Sequence, residues 1–243
     1  MPELAGRGTR DPDDYYATTP ALAKLICETV KRDFALAHPR RILEPSCGAG
    51  TFLGAIRSTW PDAQVHGIEL HRDLAAYARS AGHQVDLADT LRAELSEYDL
   101  VIGNPPFRHA GTFIPLLLKH LRPGGVLAFI LRLNFLSTQE RYAALWSIHA
   151  PTHVYTLVAR PGFTSNGHTD GTDYMVCTWQ EGRTGPTTHS HLDNRSVENK
   201  WSDARAFPDP RGFGALDPDA VVVSPAATLS EWGADGAKVR VPR

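Results

Sequence analysis

Asn104-Pro105-Pro106-Phe107 is the stretch of this 243-residue chain whose residue types and spacing are best suited to chemistry. It follows Asp99-Leu100-Val101-Ile102-Gly103, an apolar run that reads as a buried strand of a parallel sheet. Two prolines then forbid both continuation of the strand and an immediate helix. Each fixes its own φ and pushes the preceding residue towards extended geometry, so the loop is stiff. Asn104 offers an amide, Pro105 a carbonyl and Phe107 a flat apolar face. That set suits an exocyclic amine on a planar ring. Two acceptors can bind the amine's hydrogens and draw its nitrogen towards tetrahedral geometry as it attacks, which favours the transition state over the ground state. An aromatic face fixes the plane of the ring. The alternative is a turn that ends a strand and does no chemistry.

The elements around the loop must supply a site. Thr19 caps a helix with Pro20 at its first position, and Leu22, Leu25, Ile26, Val30 and Phe34 recur at helical spacing until His38-Pro39. Arg41-Ile42-Leu43 reads as the first strand, running into Glu44-Pro45-Ser46-Cys47-Gly48-Ala49-Gly50, a small-residue turn that opens a helix. A dinucleotide fingerprint would need glycine at position 53, where Leu53 stands. The missing glycine and the acid entering the turn favour a cofactor without a pyrophosphate.

Gln64 to Glu69 reads as the second strand, and Glu69 lies 21 residues after Gly48, where an acid reaches a ribose diol in this type of fold. Capping of the next helix is the other reading of Glu69. Asp89, after a third strand at Val85 and Leu87, lies at the height of a cofactor base, or else serves as a turn residue.

Beyond Phe107, Thr112 is expected to open a helix with Pro115 in its first turn, ended by Arg122-Pro123-Gly124-Gly125. Val126 to Leu131 reads as a buried strand, and Ser137-Thr138-Gln139-Glu140 as a capping box for a helix carrying Tyr142, Leu145, Trp146 and Ile148. Val154 to Val158 and Tyr174 to Trp179 are further strands. The long polar loop between them, Arg160 to Gly171, is of a length that usually has a function. Residues 1–14 read as a mobile arm, 15–182 as one α/β domain, and 183–243 as a loosely ordered tail.

Hydrophobic residues make up 42% of the chain, enough for a substantial core, and no apolar run approaches the roughly 20 residues of a membrane span. Three widely spaced cysteines suggest reduced thiols in a cytoplasmic protein, with neither a disulfide framework nor a metal site. A net charge of −2 argues against affinity for nucleic acid from the chain as a whole, but not from a local basic face.

Together Tyr16-Ala17-Thr18-Thr19-Pro20, Glu44-Pro45-x-Cys47-Gly48-x-Gly50, Glu69, Asp89 and Asn104-Pro105-Pro106-Phe107 resemble a class I S-adenosylmethionine-dependent methyltransferase. Their order resembles the gamma-type DNA adenine N6-methyltransferases, small phage-encoded members above all, across roughly residues 15–180. The resemblance implies a Rossmann-like, seven-stranded, mostly parallel sheet with helices on both faces and an antiparallel last strand. It implies S-adenosyl-L-methionine as cofactor and DNA as partner, with no metal and no membrane. Tyr16, Thr18, Thr19, Glu44, Pro45, Cys47, Gly48, Gly50, Glu69, Leu70, Asp89 and Asn104 would surround the cofactor. Within that set Thr19 would meet the methionine end, Glu69 the ribose and Asp89 the adenine amine.

Asn104, Pro105, Pro106 and Phe107 would act on the target base, with Phe107, Arg108, Phe163 and His168 against the substrate. No Pro-Cys dipeptide occurs, so covalent cytosine-C5 methylation is not expected. Larger relatives carry a sizeable target-recognition domain, and the tail here suggests a short, permissive target. Similar loops occur in rRNA guanine-N2, tRNA adenine-N6 and protein glutamine-N5 methyltransferases, which remain alternatives. So does a non-catalytic nucleic-acid-binding module, although such a module has no need of the intact Asn104 loop. No oligomeric state follows from the sequence.

Overall fold

The structure is a computed structural model and describes residues 16–163, 169 and 171–200. Eight strands form one sheet: β1 (Arg41–Glu44), β2 (Gln64–Glu69), β3 (Val85–Leu87), β4 (Tyr98–Gly103), β5 (Leu121–Arg132), β6 (His153–Leu157), β7 (Tyr174–Gln180) and β8 (Thr188–Leu192). Their order is β3-β2-β1-β4-β5-β7-β6-β8. β7 runs antiparallel to both β5 and β6, and every other pairing is parallel. The sheet is thus the expected mostly parallel one with an antiparallel seventh strand, and it has an eighth.

Alternation along the central strands builds a core on each face of the sheet. Ile42, Leu100, Ile102, Val126, Ala128 and Ile130 pack with helices α1 (Pro20–Asp33) and α2 (Thr51–Thr59). Leu43, Val101, Leu127, Phe129 and Leu131 pack with α4 (Ala110–Leu118) on the other face, while α3 (Arg72–Ser80) follows β2. Chain order reverses between β1 and β4, so the crevice beyond their carboxyl ends lies where such sheets bind ligands.

Three boundaries differ from expectation. α4 starts at Ala110, so Pro115 falls in its interior. β5 already begins at Leu121, with Tyr98 paired to Leu121 but Leu100 to Val126, so Arg122-Pro123-Gly124-Gly125 is a bulge in a strand. Gly125 is needed there, because a Cβ would lie 2.9 Å from the Arg122 carbonyl oxygen. The capping oxygen after β5 is that of Thr138, which accepts from the Arg141 N–H at 3.3 Å. It opens a single α-turn, Gln139–Arg141, followed by a π-turn, Tyr142–Trp146, in place of a regular helix. Tyr142 and Ile148 stay exposed, while Trp146 stacks on Trp179.

The tail expected from residue 183 is ordered in its first part. β8 extends the sheet beside β6, and Asn194, fully buried, fastens the following loop. Its Oδ1 accepts from the Ala159 N–H at 2.8 Å, and its Nδ2 donates to the Ala159 carbonyl at 2.9 Å and to Asn199 Oδ1 at 2.7 Å. Residues 201–243, with Arg205 and Arg211, lie outside the described residues. Asn194→Ala strands both polar groups of Ala159, so chemical denaturation should show a loss of about 1–3 kcal/mol. A change below about 0.5 kcal/mol, the scatter typical of surface substitutions, would mean that this segment does not hold the domain.

Candidate active site

The turn after β1 shapes the crevice. Cys47 N–H donates to the Ile68 carbonyl at 2.9 Å and Gly50 N–H to the Cys47 carbonyl at 2.8 Å, pinning the turn against β2. Gly48 and Gly50 hold φ of +53° and +90°, left-handed values that favour glycine. A Cβ on Gly50 would also meet His83 Cδ2 at 2.8 Å. The turn, the end of β2, the Ala88–Leu91 loop, the segment Tyr16–Thr18 and the loop after β4 enclose a cleft of about 320 Å³.

Expected cofactor residues Tyr16, Thr18, Glu44, Pro45, Cys47, Gly48, Glu69, Leu70, Asp89 and Asn104 all line it. Thr19 and Gly50 do not. Thr19 caps α1, accepting from the Leu22 N–H at 3.4 Å while its hydroxyl donates to the Glu198 carbonyl at 2.5 Å. Its neighbour Thr18 takes the place on the cleft. Gly50 serves the geometry of the turn instead. Lining residues that the sequence reading passed over include Ser46, His71, Thr90 and His109. Ser46 lies inside the turn and His71 directly after Leu70, so proximity to the motifs was the signal available for both.

Glu69 is buried, with one oxygen accepting from the Gly48 N–H at 2.7 Å and the other from the His71 N–H at 2.8 Å. Burial raises its pKa, and these backbone donors partly offset the rise. A carboxylate offers about four lone-pair positions, so two remain for a hydroxyl donor. Asp89 accepts from the Leu91 N–H at 3.0 Å, the turn role, while its residue still lines the cleft.

Glu44 is 3% exposed and its Oε2 has no partner. Burial and the nearby Glu69 charge hold its pKa well above the usual carboxylate range. Burial likewise raises the Cys47 thiol, so a thiolate nucleophile is not on offer at neutral pH.

Asn104 reaches the cleft from the end of β4. Its Nδ2 donates to the Tyr16 carbonyl at 2.8 Å and the Thr18 hydroxyl at 3.2 Å, which turns Oδ1 the other way. Oδ1 is buried without a partner, as is Ser46 Oγ. Buried polar atoms nearly always find partners, so three orphan oxygens on residues lining one cleft mark the place of a polar ligand.

Phe107 is half-buried in an aromatic cluster. Its ring lies 5.0 Å from Tyr16 and 5.7 Å from Tyr174, with the Arg132 guanidinium 5.0 Å from its centroid. Phe163, expected against the substrate, is 3% exposed and packs edge-on against Tyr174 at 4.9 Å and Tyr16 at 6.3 Å. Arg108 is exposed at the mouth of the cleft, and His168 lies outside the described residues.

No protein-family model matches the chain. In fold it is similar to a class I S-adenosylmethionine-dependent methyltransferase structure from Listeria monocytogenes, with a TM-score of 0.61 over 79% of this chain and 70% of that one at 14% identity. The chain has the class I S-adenosylmethionine-dependent methyltransferase fold.

In sequence, this class I chain is 27% identical over 137 residues to the type II methyltransferase M.CvrRI of Paramecium bursaria Chlorella virus XZ-6E, spanning 48% of this chain and 36% of that protein. It is 35% identical over 101 residues to trans-aconitate 2-methyltransferase of Azoarcus sp. (strain BH72), 39% of this chain and 40% of that protein. It therefore spans well under half the length of both relatives.

S-adenosyl-L-methionine is the cofactor of this class, and the cleft fits it. Glu44, Glu69 and Asp89 give it three carboxyl groups, which suit an ammonium and ribose hydroxyls and offer a pyrophosphate no cationic partner. Among the described residues, no three His, Cys, Asp or Glu could together hold a metal ion, and no helix is long and apolar enough to cross a membrane.

The raised pKa of Glu44 has a thermodynamic consequence. A buried acid that favours its neutral form contributes stability below its unfolded pKa of 4.5, and that contribution is lost as pH rises towards the higher folded value. Without ligand, the protein should lose melting temperature as pH rises from 5 to 8. Glu44→Gln, which mimics the neutral form, should flatten that fall. The same pH dependence in both proteins, read by thermal denaturation, would show that the carboxyl is ionised at little cost.

Proposed function

We propose that this protein transfers a methyl group from S-adenosyl-L-methionine to the exocyclic N6 amine of adenine in DNA. The observation that carries the reading is the fixed amide of Asn104, whose nitrogen is spent on Tyr16 and Thr18 and whose oxygen is buried without a partner at the cofactor cleft. When bound, the cofactor would supply an electrophilic methyl group, its S–CH3 bond breaking so that it leaves as the neutral thioether S-adenosyl-L-homocysteine. Glu44 would face its ammonium, the remaining lone pairs of Glu69 its ribose, and Leu70 with the Asp89 loop its base.

Asn104 Oδ1 and the Pro105 carbonyl would accept the two hydrogens of the target amine. As its nitrogen gains the methyl carbon it becomes more acidic, and these acceptors bind its hydrogens more strongly than in the ground state. One proton then leaves to solvent. Phe107 would hold the plane of the ring with the part of its face that the cluster leaves open. A duplex adenine must leave the stack to reach this loop, at a cost of a few kcal/mol that aromatic stacking partly returns.

Similarity to M.CvrRI supports a DNA substrate. Similarity to the trans-aconitate enzyme supports carboxylate O-methylation instead. A carboxylate has no hydrogens for Asn104 and Pro105 to accept, so the amine reading is the better one. Adenine or guanine amines in RNA present the same donors and form the second reading.

Asn104→Ala should lower kcat by about 10²–10³, the usual cost of one polarising group. Cofactor affinity, measured by calorimetry, should stay within a few-fold, because the Glu44–Gly48 turn and Glu69 are untouched. A parallel loss of affinity and rate would assign Asn104 to cofactor binding.

A further inference from the structure

A second cleft, of about 350 Å³, shares Arg108 with the cofactor cleft. Among the described residues Phe107, Arg108, Leu131, Arg132, Asn134, Phe135 and Arg141 line it, and none of these is an acid. Its three arginines come from three different parts of the chain. Arg108 follows the Asn-Pro-Pro-Phe loop and lines both clefts. Arg132 ends β5, and Arg141 ends the short helical turn opened by Thr138.

Two of the guanidiniums are set in place by aromatic rings. Arg132 Nη2 donates to the Tyr16 hydroxyl at 2.8 Å, and its Cζ lies 5.3 Å from the Tyr16 centroid and 5.0 Å from that of Phe107. Arg141 Cζ lies 4.7 Å from the Phe135 centroid, and its Nη1 donates to the Asn134 and Ser137 carbonyls at 3.2 and 3.1 Å. A guanidinium is weakly hydrated and carries five donors in a rigid fork that matches phosphate oxygens. Holding it on an aromatic face removes much of the entropy that it would otherwise lose on binding. In a chain whose net charge is −2, such a cluster is a local basic feature and not a sample of the whole surface.

We propose that this cleft binds the phosphodiester of the target strand next to the base being methylated. The inference rests on the nucleic-acid reading of the preceding section. In one nucleotide only a sugar separates base from phosphate. A base beside Asn104 therefore brings its backbone within reach of Arg108, which lines both clefts, and so of the second cleft. The contact reads no sequence; it sets the height at which the amine meets Asn104.

The test uses the full chain and a short duplex containing an adenine that the wild type methylates, with KM followed against salt. Arg141→Gln is the cleaner variant, because Arg132 also supports Tyr16. It should raise KM by about tenfold and make the slope of log KM against log salt shallower by roughly 0.9, the signature of one lost phosphate contact. kcat should change less than KM, cofactor affinity should not change, and Arg141→Lys should restore the slope. One uncharged methylphosphonate flanking the target should weaken the wild type more than Arg141→Gln. An unchanged salt slope, or the same methylphosphonate penalty in wild type and variant, overturns the phosphate site and leaves the proposed activity standing. A wild-type protein that binds cofactor yet methylates no polynucleotide overturns both.

Discussion

Asn104 holds its side-chain oxygen in one orientation at the cleft because both hydrogens of its own amide are committed elsewhere. Tyr16 and Thr18 take them, so the segment before α1 determines which way an amide at the end of β4 points. An amide free to flip would present a donor to the cleft in place of the oxygen half the time. The same segment is anchored by neighbouring contacts. Thr19 caps α1 and donates to the Glu198 carbonyl, and the Tyr16 ring packs on Phe107 while its hydroxyl accepts from Arg132. The N-terminal segment, the loop after β4, the end of β5 and residues following β8 are thus parts of one assembly. Its product is a single correctly oriented oxygen.

The cleft gathers groups whose burial costs stability. Two buried carboxyl groups, Glu44 and Glu69, share one small volume, and burial raises the pKa of both. Glu69 is compensated by two backbone N–H groups, whereas Glu44 keeps one oxygen unmatched. Gly103 makes room for this arrangement, since a Cβ there would lie 3.1 Å from Glu44 Cγ. A core selected for stability alone would not place these groups together. Local cost of this kind is common where a protein keeps interactions in reserve for a cationic ligand.

The parts of the chain legible in the sequence are those where one physical signal dominates. β1 and β4 carry short apolar runs that end in an acid or a glycine, and β2 is marked by the spacing between Gly48 and Glu69, which reflects one βαβ unit. β8 was not legible, because Thr188-His-Ser-His-Leu192 is a polar edge strand with only Leu192 buried, and hydrophobic periodicity is silent there. The bulge at Arg122–Gly125 looked like a loop because Pro-Gly-Gly is punctuation in either setting. Thr18 and Thr19 differ only in direction, one towards the cleft and one towards the start of α1, which spacing cannot resolve. Phe163 looked available in a polar loop, yet Tyr16 and Tyr174 enclose it. The arginine cleft was invisible for a related reason, since its residues come from positions 108, 132 and 141, which only the fold brings together.

Whether the oriented oxygen serves the purpose assigned to it can be read from its product. The protein is incubated with S-adenosyl-L-methionine carrying a labelled methyl group, in parallel with DNA, RNA and a small tricarboxylic acid, and the digested products are analysed by mass spectrometry. Label on the N6 position of deoxyadenosine is the expected result. Label on the carboxylic acid alone, with none on any nucleoside, would contradict it.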